Sequence, residues 1–165
     1  MGLVGVEPIL VAMEAALKNG MAAKVAALNA EYADAYTLAT IAADAYYWHL
    51  PSVEGGRILI GLPAIVLITE PATPGESNPD FYETHYSIVA DVLVRGTDGG
   101  DVTRRCLRYN RAVKEILAAR NSLSISGASC TFAGEHRHET TEPASGDYLQ
   151  DFASRWYITR GEYVA

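Results

Sequence analysis

The chain has 165 residues, of which 49% are hydrophobic and 20% are charged, and its formal net charge is −7. These values are typical of a globular chain with a sizeable core, and they exclude a disordered or fibrous protein. The acidic balance disfavours a nucleic-acid-binding domain, because neutralising phosphates requires a basic surface. We expect one domain over 1–165, with a mostly helical region at 1–57 and a strand-loop-strand-helix-strand core at 58–165.

The N-terminal region has the pattern of a helix. Pro8 suits the first helical turn, and apolar residues recur at a spacing of four from Ile9 to Leu17. Gly20 either ends this helix or lies inside one that continues to about Tyr32. The pattern predicts one long, alanine-rich helix or a tightly linked pair.

An aromatic cluster, Tyr46-Tyr-Trp-His49, follows a segment from Tyr36 that fits either a short strand or a helical turn. Such a cluster is typical of a core or a subunit interface. A ligand pocket over Tyr46–Trp48 is the alternative, and it would make the chain a binding module.

Two apolar segments flank a polar connection. The first, Pro63–Glu70, is short, and its proline is expected at a strand start or a sheet edge. The second, Glu83–Arg95, alternates with a period of two and has an apolar face. That face comprises Tyr86, Ile88, Ala90, Val92 and Val94. The two segments predict an antiparallel hairpin, and the connection, 71–80, is predicted to be an exposed loop.

After Gly96–Gly100 the apolar period changes from 2 to about 3.6, which predicts an amphipathic helix. Its apolar stripe comprises Val102, Cys106, Tyr109, Val113, Ile116 and Leu117. Asp101 is the predicted N-cap, and Arg120 complements the C-terminal end of the helix dipole.

The outer face of this predicted helix is strongly basic. Its residues are Arg104, Arg105, Arg108, Arg111 and Lys114. A solvated helix face explains such a run, whereas docking on an acidic neighbour or proximity to nucleic acid is the functional alternative.

Two further strands are predicted at Ala128–Gly134 and Phe152–Arg160, with a polar, turn-rich segment at 135–147 between them. In the last strand, Trp156 and Ile158 share one face. The elements together predict an α+β fold, with an antiparallel or mixed sheet of about four strands flanked by helices.

His136 and His138 form the one arrangement that resembles a metal site, since alternate residues of a strand point to the same side. No spacing supplies a third ligand, and an exposed polar loop explains the same residues. A small metal-dependent hydrolase is therefore the alternative function. Nucleophile and phosphate-binding motifs are missing, and no cofactor is expected.

Cys106 and Cys130 occur singly, which indicates free thiols rather than a disulfide framework. The longest apolar run, Ile58–Ile68, is shorter than the roughly 20 residues of a membrane helix, and the N-terminus lacks the basic start of a signal peptide. We expect neither a membrane segment nor a leader.

The order of these elements resembles the tail terminator and tail-completion proteins of long-tailed bacteriophages. A helical N-terminus precedes an apolar strand after Pro63, a polar loop and the strand Thr84–Val94. An arginine-rich helix ending in Val113–Leu117 and a last alternating strand follow. The resemblance covers most of the chain from about Leu62 to Arg160.

This resemblance implies a non-enzymatic subunit that closes into a ring, usually of six, which caps the tail tube and joins it to the head connector. Packaged DNA would pass through without specific binding, and the protein would reside in the virion, or in the host cytoplasm during assembly. Other neck components, stoppers and adaptors, share these features. The implied subunit contacts are the basic helix face, Pro74, Glu76 and Asn78 in the first polar segment, Trp156 in the last strand, and the segment 135–147.

Overall fold

The structure is a computed structural model, and it describes residues 5–49, 53–54, 57–58, 60–78, 81–119, 123–141 and 146–163. The two helices are α1, Glu7–Tyr32, and α2, Gly99–Ala118. The strands are β1 (Tyr46–Tyr47), β2 (Val53–Glu54), β3 (Arg57–Ile58), β4 (Ala64–Thr69), β5 (Thr73–Asn78), β6 (Phe81–Gly96), β7 (Ala128–Thr141) and β8 (Tyr148–Tyr163).

Six strands form one mixed sheet in the order β1-β4-β6-β8-β7, with β5 also paired to β6. The pairing of β1 with β4 is parallel, and the other pairings in this sheet are antiparallel. The predicted α+β class is therefore confirmed. The sheet has more than about four strands because β1 and β5 lie in segments without an alternating pattern.

Strand β6 is the centre of the sheet. It pairs with β4 from Ala64↔Leu93 to Thr69↔Ile88, as the predicted hairpin requires. On its other side it pairs with β8 along all sixteen residues. Its predicted apolar face is buried, and Pro63 directly precedes β4.

Helix α1 continues through Gly20, which confirms the longer of the two predicted forms. A Cβ atom at Gly20 would lie 3.0 Å from Cγ1 of Ile116, so glycine permits close approach of α1 to α2. The helix ends at Tyr32, and none of the described residues in 33–58 is helical. The prediction of a mostly helical region to residue 57 was wrong beyond this point.

The segment after α1 is irregular, but its backbone is well bonded. Ala33 adopts a left-handed conformation, with φ 45°, and its N–H donates to the Asn29 carbonyl. The Asn29 side chain then donates to the Leu38 carbonyl at 2.9 Å and accepts from the Leu38 N–H at 2.8 Å. The Asn29 side chain thus bonds both backbone groups of Leu38, as a neighbouring strand would, although the segment has no regular structure.

Helix α2 carries the predicted apolar stripe, and every residue of that stripe is buried. Its N-cap is Asp98 rather than Asp101, because the Asp98 side chain accepts from the Asp101 N–H at 2.8 Å. The predicted role of Arg120 falls outside the described residues.

Both C-terminal strands are longer than predicted. Strand β7 continues to Thr141 through a bulge between Phe132 and Gly134, so 135–141 is strand and not loop. Pairing with the long β8 overrides the polar composition of this half of β7. Cys106 and Cys130 are free, as expected, and both are buried.

The two helices share one hydrophobic core with one face of the sheet. Helix α2 lies on β6 and β8 and also contacts α1. Within the described residues, no helix combines the length and hydropathy needed to cross a membrane.

Replacing Trp156 with alanine should lower the free energy of unfolding by about 3–5 kcal/mol, since it leaves a large cavity in the core. Trp156 is 1% exposed, whereas its neighbour Tyr157 on the opposite face is 51% exposed. Tyr157→Ala is the matched control, with an expected change below about 1 kcal/mol. Chemical denaturation of the two variants measures the difference, and equal losses would contradict this placement of the core.

Candidate assembly surface

The basic residues of α2 do not form one solvated face. Arg108 is only 8% exposed, because its guanidinium packs under the segment that follows α1. It donates to both Asp34 carboxylate oxygens, at 2.9 and 2.5 Å, and to the Tyr36 carbonyl at 2.8 Å. The hydrogen bonds from Arg108 hold the pKa of Asp34 at about 2, below its usual 3.8. The predicted outward position of Arg108 was therefore wrong.

Two tyrosine rings cover the arginines on this side of the molecule. The Arg108 guanidinium lies 3.9 Å from the centroid of the Tyr32 ring. Arg104 lies 4.3 Å from the centroid of the Tyr36 ring. Because Tyr32 ends α1 and Tyr36 follows it, these cation–π contacts fix the segment after α1 against α2. We call Tyr32, Asp34, Tyr36 and Arg108 the α1–α2 clamp.

The remaining cations of α2 also have partners within the chain. Arg111 donates to both oxygens of Glu31, at 2.7 and 3.0 Å, and to Glu115. Lys114 lies 2.7 Å from the Glu135 carboxylate on β7, and Arg105 lies 2.9 Å from Asp101. Much of the charge that the sequence places on this helix is neutralised inside the subunit.

Exposed surface on α2 is left at Arg104 and Leu107. Arg104 is exposed along one side of its stack on Tyr36, and Leu107, one turn on, is 44% exposed. A cation beside an apolar side chain can bind a surface that presents a carboxylate and an apolar contact. Arg104 is the most exposed cation of the predicted basic face, whereas the paired Arg105, Arg111 and Lys114 are partly exposed.

The first polar segment, 71–80, contains strand β5 over residues 73–78. Pro74, Glu76 and Asn78 all lie in β5, which pairs antiparallel with β6 and bulges between Pro74 and Ser77. A Cβ atom at Gly75 would lie 2.5 Å from Nε2 of His85, so a larger residue there would displace the His85 side chain. The predicted loop was wrong at 73–78, but its predicted exposure is confirmed for most of the strand.

Trp156, the last predicted contact residue, lies in the core. Its indole N–H donates to Ser154 Oγ at 3.0 Å, and its ring meets that of Phe132 edge to face at 5.5 Å. A residue with this burial cannot contact another subunit in the folded chain. Phe132 on β7, whose ring contacts that of Trp156, is 43% exposed.

The two histidines of the alternative metal site lie on β7 and are exposed. His138 Nδ1 is 3.4 Å from Asp151 Oδ1, and His136 lies opposite Ala153. Within the ranges that the structure describes, no group of three histidine, cysteine or acidic side chains could hold a metal ion. The first two residues of the aromatic cluster form strand β1, and Tyr46 packs against the core.

A polar recess of about 420 Å³ lies beside the start of β5 on the second face of the sheet, away from the helices. Glu70 accepts from Ser87 Oγ and, at 2.8 Å, from Arg155. His85 contacts Thr159 Oγ1 and the Glu83 carboxylate, each at 3.0 Å. Four of the lining residues, Glu70, His85, Ser87 and Thr159, are thus bonded to one another or to neighbouring side chains.

One carboxyl group that the sequence places on a polar strand face, that of Asp91, is half-buried, and one of its oxygen atoms is fully buried. Asp91 lies on β6 between Val66 of β4 and Ala153 of β8, both of which are almost fully buried. Its Oδ1 atom has no hydrogen-bond partner among the described residues. Burial, and secondarily the charge of Asp151, raise the pKa of Asp91 to about 7. Alternation alone gives no signal for this position, since it reports one buried face and not the other.

No protein-family model matches the chain, and no curated protein matches it. Among solved structures, the chain is similar to one in the "Virion of native gene transfer agent (GTA) particle", with 13% sequence identity and a TM-score of 0.41. The match covers 87% of this chain and 94% of that chain.

The α1–α2 clamp should contribute to stability through Arg108. Arg108→Ala removes hydrogen bonds to a carboxylate and to a carbonyl, so the free energy of unfolding should fall by about 2 kcal/mol. Arg104→Ala, on the same helix face, loses only its exposed contact with the Tyr36 ring and should lower it by no more than about 1 kcal/mol. Urea denaturation of both variants provides the measurement. Equal, small effects would show that the clamp is not a stabilising contact.

Asp91 should make stability depend on pH. Its folded-state pKa is raised, so the folded protein retains a proton that the unfolded chain loses between pH 4 and 7. The free energy of unfolding should therefore fall as pH rises through this range, by up to about 4 kcal/mol. Asp91→Asn should flatten this dependence, and Asp44→Asn, at an exposed position, should not. Urea denaturation at pH 5 and pH 8 tests both, and an unchanged slope in Asp91→Asn would refute the assignment.

Proposed function

We propose that this chain is a structural subunit of a bacteriophage-like particle, acting at the head–tail junction as a tail terminator. The order of elements carries the proposal. Helix α1, strand β4 after Pro63, the long strand β6, the arginine-bearing helix α2 and the closing strand β8 follow one another as the resemblance requires. A stopper or an adaptor at the same junction is the alternative, since these neck components share that order.

The proposed mode of action is assembly rather than catalysis. Copies of the subunit form a ring, with six as the expected number, between the tail tube and the head connector. Heterologous contacts that close a ring need two different, complementary surfaces on each subunit. Arg104 and Leu107 on α2 offer one such surface. The chain as a whole has a formal net charge of −7, so carboxylates elsewhere on the molecule can meet it.

The net charge also bears on the packaged genome. An acidic channel repels phosphates, so DNA would pass without specific binding. The subunit would be made in the host cytoplasm and retained in the finished virion. No cofactor enters this mode of action.

Deleting the coding sequence from a particle-producing strain tests the proposal directly. We expect heads and tails that do not join, visible by negative-stain electron microscopy, and joining should return when the intact chain is supplied in trans. Gold labelling of a tagged chain should place it at the junction. Normal joined particles after deletion, or label elsewhere on the particle, would refute the junction role.

Charge reversal at Arg104 tests the proposed contact surface without disturbing the fold. Arg104→Glu should reduce complementation of the deletion strain by at least about tenfold, while its thermal midpoint stays within a few degrees of the natural chain. Arg108→Glu is a poor test, because it also breaks the buried pair with Asp34. Full complementation by Arg104→Glu would show that this part of α2 is only solvated.

A further inference from the structure

Strand β7 is an open edge of the sheet. It is the last strand in the order and pairs only with β8 among the described elements. Apart from Gly134, its residues from 131 to 138 are exposed. The outer side of such a strand presents backbone N–H and C=O groups that another strand can bind.

The direction of these groups follows from the register. Gly161 N donates to the Gly127 carbonyl at 3.2 Å, so odd-numbered residues of β8 bond toward β7 and even-numbered ones toward β6. The bond from Glu70 N to the Ser87 carbonyl is consistent with this assignment. It shows that the backbone groups of odd-numbered residues of β6 point toward β4, so those of even-numbered residues point toward β8. Glu135 pairs with the even-numbered Ser154, and the Glu135 N–H therefore points away from the sheet.

The opposite edge of the sheet is blunted. Pro74 of β5 pairs with Thr84, an even-numbered residue of β6, so Pro74 occupies an outward-facing position. Proline has no N–H to donate, and the bulge that follows interrupts the strand. A second copy cannot extend β5 as a regular strand. Strand β1, which ends the sheet order on this side, has only two residues, so β7 is the long edge strand suited to pairing.

The charges on β7 favour a second copy of itself. The outer half of the strand reads Glu-His-Arg-His-Glu from 135 to 139. An antiparallel pairing centred on Arg137 would set like charges opposite each other. If the two-fold axis passes through His138, Arg137 of each copy lies opposite Glu139 of the other. If it passes through His136, Arg137 lies opposite Glu135, which also contacts Lys114 of its own subunit. Opposite charges across strands are stabilising. In both of these registers, the odd-numbered residues of one copy lie opposite odd-numbered residues of the other. Their outward-facing backbone N–H and C=O groups can therefore bond to each other.

We propose that two copies of this chain pair through β7, antiparallel and across a two-fold axis, to form one continuous sheet. The contact is isologous and lies apart from the Arg104–Leu107 surface of α2. It does not depend on the proposed function.

Light scattering during size-exclusion chromatography tests the pairing. The natural chain should show a concentration-dependent mass approaching twice 17.8 kDa. Glu135→Pro removes an outward N–H without removing a bond to β8, and it should give 17.8 kDa throughout. Glu135→Ala loses the same side chain but keeps the N–H, so its dimer should weaken by less than about tenfold. A monomeric natural chain, or an assembly that Glu135→Pro leaves unchanged, would overturn the proposal.

Two single-cysteine variants decide the register and do not depend on the proline variant folding. Residues facing each other at the two-fold axis have Cα atoms about 4.5 Å apart, which suits a disulfide. Under mild oxidation, either His136→Cys or His138→Cys should give a covalent dimer, whereas the buried Cys106 and Cys130 of the natural chain should not. Absence of the covalent dimer from both variants would refute antiparallel pairing through β7.

Discussion

The antiparallel pairing of β6 with β8 is the constraint on which the rest of the structure depends. Because sixteen residues of each strand are in register, every residue of β8 is assigned to a face by its partner on β6. That assignment places Trp156 and Ile158 under α2 and sends Tyr157 to the second face. A slip of one residue would exchange those faces, so the pairing decides both the core and the exposed surface.

The clear periodic patterns of the sequence predicted the centre of the molecule and failed at its margins. Alternation in β6 and the helical stripe of α2 report burial directly, and both are confirmed. Strand β5 and the outer half of β7 are polar because they lie at sheet edges, so their composition predicted loops. The burial of Arg108 depends on Asp34, 74 residues away, and no local pattern encodes such a contact.

The basic residues of α2, which the sequence pattern places on the surface, mostly form ion pairs within the subunit. Arg108, Arg111 and Lys114 each meet a carboxylate from a different part of the chain. Helix α2 thereby ties together the end of α1, the irregular segment after it and the edge strand β7. Some of the acidic residues that give the chain its negative charge therefore form ion pairs with the basic residues of α2.

The contact between Gly20 and Ile116 has a consequence for how the sequence can change. Since a methyl group at position 20 would meet the Ile116 side chain, the two positions form one steric unit across the helix pair. An alanine at 20 would require the Ile116 side chain to shift by a few tenths of an ångström, and a larger residue there would favour a smaller residue at 116. Among natural variants of this chain, a larger residue at 20 should therefore occur together with a smaller one at 116.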